Sequence, residues 1–317
     1  MSALPQTVEN KFRLVTRSDF DGLVCAVLLK EINLIDEIKF VHPKDMQDGT
    51  IEITSNDITT NLPYVPGCHI AFDHHLSEMK RNSDNAQSNH IIDPKAPSAA
   101  RVVYDYYGGK DVFPAAWDDM MTAVDKADAA QFTKDEILNP EGWVLLNYLM
   151  DSRTGLGRFR EFRISNYQLM MNLIDYCRNH TIEEIINLPD VQERVTLYFE
   201  HAEKFTQQVK ACSTVYNNLV LLDLREQETI FAGNRFMIYA LFPQCNISIH
   251  LMWGFKKQNT VFAIGKSILD RSSTTNVGEL CLQFGGGGHM AAGTCQVAND
   301  KIDETRQALI HKITQDG

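Results

Sequence analysis

The chain has no CxxC pair among its cysteines, no long apolar run and no dense stretch of lysine and arginine. Each absence removes a class of protein. The seven cysteines are scattered, without the spacing of a zinc finger or a disulfide framework. They read as small, reduced, mostly buried residues of a cytoplasmic protein. No stretch approaches the roughly 18 apolar residues that a membrane helix needs. Met1 to Arg13 is polar and lacks the apolar core of a secretory signal. Basic residues are outnumbered, 30 Lys and Arg against 41 Asp and Glu, for a formal net charge of −11. A protein that holds long duplex nucleic acid neutralises many phosphates, commonly with a basic patch. A short phosphorylated substrate, gripped locally, suits this balance better than a polymer.

What is present is an ordinary globular composition, 44% hydrophobic and 22% charged, over 317 residues, a length that suits two domains. From residue 11 to about 130, short β runs alternate with helical ones. Strands are expected at Phe12–Thr16, Ile38–His42, Thr50–Thr54, His69–Phe72 and His90–Ile92, with helices at Leu23–Ile32 and from the Ser98 cap to Tyr107. Such alternation predicts an α/β fold with a largely parallel sheet, whose ligands bind beyond the carboxyl ends of its strands. Residues 135–212 read as helices that complete this first domain and connect onward. The helix from Val191 offers a surface for a homodimer. Period-2 segments return at Leu219–Leu224, Phe236–Leu241, Ile247–Met252 and Val261–Ile264, then a glycine-rich loop and a last helix, so 213–317 is expected to be a smaller α/β domain.

The first predicted strand leads to Asp19 and Asp21 before Gly22, the third to Asp57, and the fourth to Asp73-His74-His75; a later helix carries Asp125 and Asp128. Taken singly these have bland readings: a polar turn, a helix cap, a satisfied structural cluster, a solvated helix face. Together they fall on one sheet edge, where clustered carboxylates repel unless cations neutralise them. Carboxylates with an imidazole and no thiolate suit Mn²⁺ or a close relative and disfavour structural zinc.

Ser18-Asp19-Phe20-Asp21-Gly22, the acid Asp57, Asp73-His74-His75 and Asp125-Lys126-Ala127-Asp128 resemble the four ordered motifs of the DHH phosphoesterase family. Phe284-Gly285-Gly286-Gly287-Gly288-His289-Met290-Ala291-Ala292-Gly293 resembles the glycine-rich signature of the DHH-associated domain that follows in many members. The resemblance covers nearly the whole chain. It implies Asp19, Asp21, Asp57, His74 and Asp125 as metal ligands, with Asp57 bridging two ions. It implies Asp73 as the residue that orients the histidines, and His75 as the group facing the phosphate or the leaving group. The cofactor implied is Mn²⁺, one ion or two, with Mg²⁺ or Co²⁺ as substitutes. Two features depart from the pattern. Val15 stands where many two-metal members have histidine, as in the family's 5′→3′ single-strand exonucleases. In the fourth motif both Asp125 and Asp128 fit, and Asp125 is preferred because it follows the apolar Ala123-Val124 step.

Consecutive glycines let a backbone approach a ligand and turn N–H groups toward phosphate oxygens. Gly286, Gly287, Gly288 and His289 are therefore candidate substrate-binding residues, with Lys266, Ser267 and Arg271 before them and Arg101 near the expected catalytic edge; a structural turn and surface charges are the ordinary alternatives. The expected function is hydrolysis of phosphodiester bonds in dinucleotides, nano-RNA or cyclic nucleotides by metal-activated water, releasing mononucleotides. Two alternatives stand beside it. One is a phosphoanhydride hydrolase acting on pyrophosphate or polyphosphate, for which Lys256, Lys257, Lys266 and Arg271 offer charge. The other is a non-catalytic nucleotide sensor.

Overall fold

Five parallel strands form the first sheet of the computed structural model: β1 (Phe12–Arg17), β2 (Ile35–Val41), β3 (Asp57–Thr60), β4 (Ile70–Asp73) and β5 (His90–Ile92), in the order β2-β1-β3-β4-β5. The structure describes residues 11–81 and 87–317, so most of the polar N-terminal stretch lies outside it. The chain steps from β1 outward to β2 and then back across to β3. This reversal is the topological switch of an open parallel sheet, and ligands bind there, at the carboxyl ends of the strands. The helix Phe20–Glu31 follows β1 and is buried from Phe20 to Leu29, which is why its sequence is apolar nearly all round.

One predicted strand of this sheet is misplaced. Alternation in Ile51-Glu52-Ile53 predicts a strand at Thr50–Thr54, but the strand begins at Asp57. Ile51 and Ile53 instead pack from a loop against buried Val15, Val41, Met46 and Leu62. The β-branched Ile58-Thr59-Thr60 run, all buried, makes the ladder with β1.

The second sheet has six strands: β6 (Ser213–Tyr216), β7 (Leu219–Asp223), β8 (Ile247–Trp253), β9 (Thr260–Lys266), β10 (Gly287–Gly288) and β11 (Ala292–Val297), ordered β10-β11-β9-β8-β7-β6. All its pairings are antiparallel except β7 with β8. Ile247, Ile249 and Leu251 alternate inward from β8 and share a core with Phe262, Val277 of the helix Val277–Leu282, and Leu309 and Ile313 of the helix Ile302–Asp316. The predicted strand Phe236–Leu241 is a short helix, Met237–Leu241. Its run is apolar throughout, so period could not separate helix from strand. The side chain of Asn234 accepts from Phe236 N at 2.9 Å and turns the chain into the helix.

The chain forms two compact units. Met1–Gln131, Glu141–Ser152 and Gly157–Val195 make the first, and Phe132–Pro140, Arg153–Leu156 and Thr196–Gly317 the second. The long helix Pro189–Ala211 begins in one unit and ends in the other. All seven cysteines are free. No helix among the described residues is long and apolar enough to cross a membrane.

Candidate active site

At the end of β1 the chain turns through Ser18 and Asp19 into the helix. Asp19 caps it, its Oδ1 accepting from Gly22 N at 2.9 Å. Only glycine fits at position 22, because a Cβ there would lie 2.0 Å from the carbonyl oxygen of Arg17. Asp21, one residue into the helix, is 2% exposed. Its two oxygens accept from Ala99 N at 3.0 Å and Ala100 N at 2.7 Å, at the positive start of the helix Ala99–Tyr106. Burial pushes the Asp21 carboxyl up to about 8, and the charges of Asp128 and Asp19 add to the rise. A bound cation removes that penalty.

His74 follows the end of β4. Its Nδ1 lies 3.1 Å from the carbonyl oxygen of Ala96, which can only accept, so Nδ1 carries a proton and Nε2 is the nitrogen turned toward Asp128. Nε2 is buried, lacks an aligned hydrogen bond, and lies 2.9 Å from Asp128 Oδ2. Among the described residues, Asp21, His74 and Asp128 form the one group whose ligand atoms gather as a metal site, all within 4.8 Å of one another. In the metal-free molecule, burial works to lower the His74 pKa, but Asp128 and Asp21 outweigh it and raise it to about 9. The donor set, two carboxylates and an imidazole, suits a hard or borderline divalent cation. Beside it, Asp73 Oδ1 accepts from His74 N at 2.8 Å and lies 2.6 Å from His75 Nδ1. Burial opposes protonation of His75; the hydrogen bond and charge of Asp73 prevail and raise its pKa.

Three of the five expected ligands stand elsewhere. Asp57 opens β3 and so lies at the far end of the sheet, where Arg13 Nε meets Oδ1 at 2.6 Å and Thr54 N meets Oδ2 at 2.6 Å. Its carboxyl is held below the usual range: burial would raise it, but the hydrogen bonds from Arg13 and Thr54 dominate. The misplaced strand had carried Asp57 to the wrong edge. Asp125 is engaged on both oxygens, by Ser98 Oγ at 2.7 Å and by Arg101 Nη2 at 2.6 Å. Its turn of helix faces the Ser98 cap, while Asp128, one turn on, reaches His74. Arg101, expected near substrate, is thus bound to Asp125. Asp19 is held by Arg17 Nε at 2.8 Å and by Asn61 Nδ2 at 3.1 Å, outside the three-residue group. Sequence reasoning missed Asn61, which follows β3 on the catalytic edge. Its only signal was its position after a β-branched run.

In the second unit the glycine segment is a tight hairpin of β10 and β11. Gly286 N donates to Cys281 O at 2.9 Å and His289 N to Ala292 O at 2.7 Å, so neither N–H is turned outward as the cradle reading expects. Since residues 289 and 292 are the hydrogen-bonded pair, Gly288 and Gly293 form the adjacent non-bonded pair. Gly288 has φ of 156° and its backbone lies against Ala292, where a Cβ would meet the carbonyl oxygen at 2.3 Å. His289 is exposed. Ser267 Oγ is taken by the N–H groups of Leu269 and Asp270, and Lys266 Nζ donates to Ser273 O at 2.9 Å, so both serve the turn that follows β9. Arg271 is exposed, its Nε 3.4 Å from Ile268 O. Lys256 and Lys257 lie over the rings of Phe255 and Trp253.

No known family profile matches the chain, and no curated protein does. Among solved structures, the pGpG-specific phosphodiesterase PggH from Vibrio cholerae is 64% identical, with a TM-score of 0.85 over 97% of this chain and 100% of that one. This chain belongs to the DHH phosphoesterase family. As a member it is a hydrolase acting on phosphodiesters. CDC45 from Entamoeba histolytica, 7% identical with a TM-score of 0.50 over 96% of this chain and 95% of that one, shares the fold. Of the residues that carry the DHH resemblance, Asp21, His74 and Asp128 meet, Asp57 lies at the other end of the sheet, and Asn61 follows the end of β3.

Proposed function

We propose that the chain hydrolyses the phosphodiester bond of pGpG or a closely similar 5′-phosphorylated dinucleotide, giving two mononucleotides, in the cytoplasm and with Mn²⁺ as cofactor. The observation that carries this is 64% identity over nearly the full length to a pGpG-specific phosphodiesterase. Asp21, His74 and Asp128 are the residues assigned to hold the ion, with Mg²⁺ or Co²⁺ as substitutes. A divalent ion there supplies positive charge that acidifies water and draws charge from the phosphoryl oxygens. Asp21 is kept in place for this by the N–H groups of Ala99 and Ala100, and His74 by Ala96. Asp73 holds the His75 ring through Nδ1 and favours its charged form, so His75 is assigned as the donor of a proton to the leaving alkoxide oxygen. Exposed His289 and Arg271, with the Gly288 backbone, are assigned to substrate binding.

The test is a product assay with Mn²⁺ on a linear dinucleotide, a cyclic mononucleotide, pyrophosphate and a short polyphosphate. Mononucleotide release from the dinucleotide, abolished by EDTA, is the expected result. Orthophosphate from the last two alone would move the assignment to anhydride cleavage, and no product from any would leave a nucleotide sensor.

A further inference from the structure

Arg17, the last residue of β1, lays its guanidinium against Asp19, with Nε 2.8 Å from Oδ2. The other oxygen of Asp19 accepts from Gly22 N at 2.9 Å and from Asn61 Nδ2 at 3.1 Å. Among the described residues Asp19 therefore meets three donors, one of them a full cation. Asn61 is 1% exposed and stands after β3, between β1 and β4 in the sheet, at the edge that carries Asp19 and His74. It is neutral, and its Nδ2 donates to Asp19, so it adds a donor rather than a charged ligand beside that carboxylate. Its Oδ1 is buried without a hydrogen-bond partner among the described residues, consistent with the amide being oriented by Asp19 alone. Val15 is fully buried among Val41, Met46 and Leu62 and offers no donor atom.

Charge leads to the same count. Asp19, Asp21 and Asp128 carry three negative charges at this edge; Arg17 and one divalent ion carry three positive. A second divalent ion would leave an excess of two positive charges and would have to displace Arg17 from Asp19.

We propose that this chain works with a single divalent ion, held by Asp21, His74 and Asp128, and that Arg17, positioned by Asp19, supplies the second positive charge to the substrate phosphate. The inference rests on the metal reading given above. With Nε turned to Asp19, the Nη groups of a side chain about one-third exposed are left to meet a phosphate oxygen in a forked geometry.

The full chain, loaded with Mn²⁺ and freed of loosely held ions, should contain one Mn²⁺ per chain by elemental mass spectrometry and give the paramagnetic resonance spectrum of an isolated ion. Two ions per chain with an exchange-coupled spectrum would overturn the inference while leaving the metal reading intact; no bound ion would overturn the metal reading itself. Asp19→Asn should keep the ion and Asp128→Asn should lose it, and the reverse pattern would sink the assignment. Arg17→Ala should keep one ion but lower kcat about a hundredfold, with partial recovery in millimolar methylguanidinium. An unchanged kcat, or a loss that methylguanidinium leaves untouched, would remove Arg17 from this role.

Discussion

Asp128 and Asp57 are both carboxylates held against a cationic partner, yet substitution at each reads out a different property. Asp128 faces His74 at the ion group, so Asp128→Asn should abolish Mn²⁺ binding and lower turnover by roughly a thousandfold, as loss of charge stabilisation at a reacting centre does. Without Mn²⁺ its melting temperature should stay close to the parent's, because a repelling charge near Asp21 has been removed. Asp57→Asn should do the opposite. It leaves Arg13 facing a buried neutral amide and should cost about 3 kcal/mol in urea unfolding, while the folded fraction turns over at the parent rate. Activity lost in proportion with Asp57 would restore that residue to the site.

The start of the helix Ala99–Tyr106 joins the ion group to its surroundings. Asp125 and Arg101 buttress Ser98; Ser98 Oγ accepts from Arg101 N at 3.0 Å; and the first N–H groups of the helix fix Asp21. Ser98→Ala should lower stability by about 1 kcal/mol and weaken Mn²⁺ binding about tenfold by loosening Asp21, measurable by denaturation and by calorimetric titration. In β8, burial and then the charge of Arg235 lower the His250 pKa to about 4. The unfolded chain protonates this ring below about 6.5. Between those values the unfolded state therefore binds more protons, and stability present above about pH 6.5 is lost as the pH falls toward 4. Between pH 7 and 4.5 the loss should be roughly 2 kcal/mol, discounted for the part of the ring that solvent reaches. His250→Gln should flatten that part of the pH profile, and an unchanged slope would assign the effect to other groups.

At the scale of the whole molecule, a group of like charges gathered by the first sheet makes ion binding and folding one equilibrium. Asp21, His74 and Asp128 converge only when β1, β4 and the helix Asp118–Asp128 are docked, so the unfolded chain has no comparable site. Mn²⁺ at a hundred times its dissociation constant should therefore stabilise the chain by about 2.7 kcal/mol. EDTA should reverse this, which a thermal melt with and without the ion measures. A melt indifferent to Mn²⁺ at millimolar concentration would count against a preformed site.

The chain's own pattern was enough for the alternating α/β frame, β1, β4 and β5, the Ser98 cap and the DHH motifs, since these depend on period, turn chemistry and residue type read over short spans. It was not enough where two assignments have the same local signature. Ile51-Glu52-Ile53 alternates like a strand but packs as a loop, and that single shift moved Asp57 from one end of the sheet to the other and hid Asn61. Asp125 and Asp128 sit one turn apart on one helix, and only the docking of that helix separates the one that meets Ser98 and Arg101 from the one that meets His74. Four glycines read as an open phosphate cradle, but Gly286 N–H is taken by Cys281 O and Gly287 and Gly288 are paired with β11. Which carboxylate meets a cation, and which cation it meets, is a matter of distance between segments far apart in the chain, and those distances exist only once the sheet has formed.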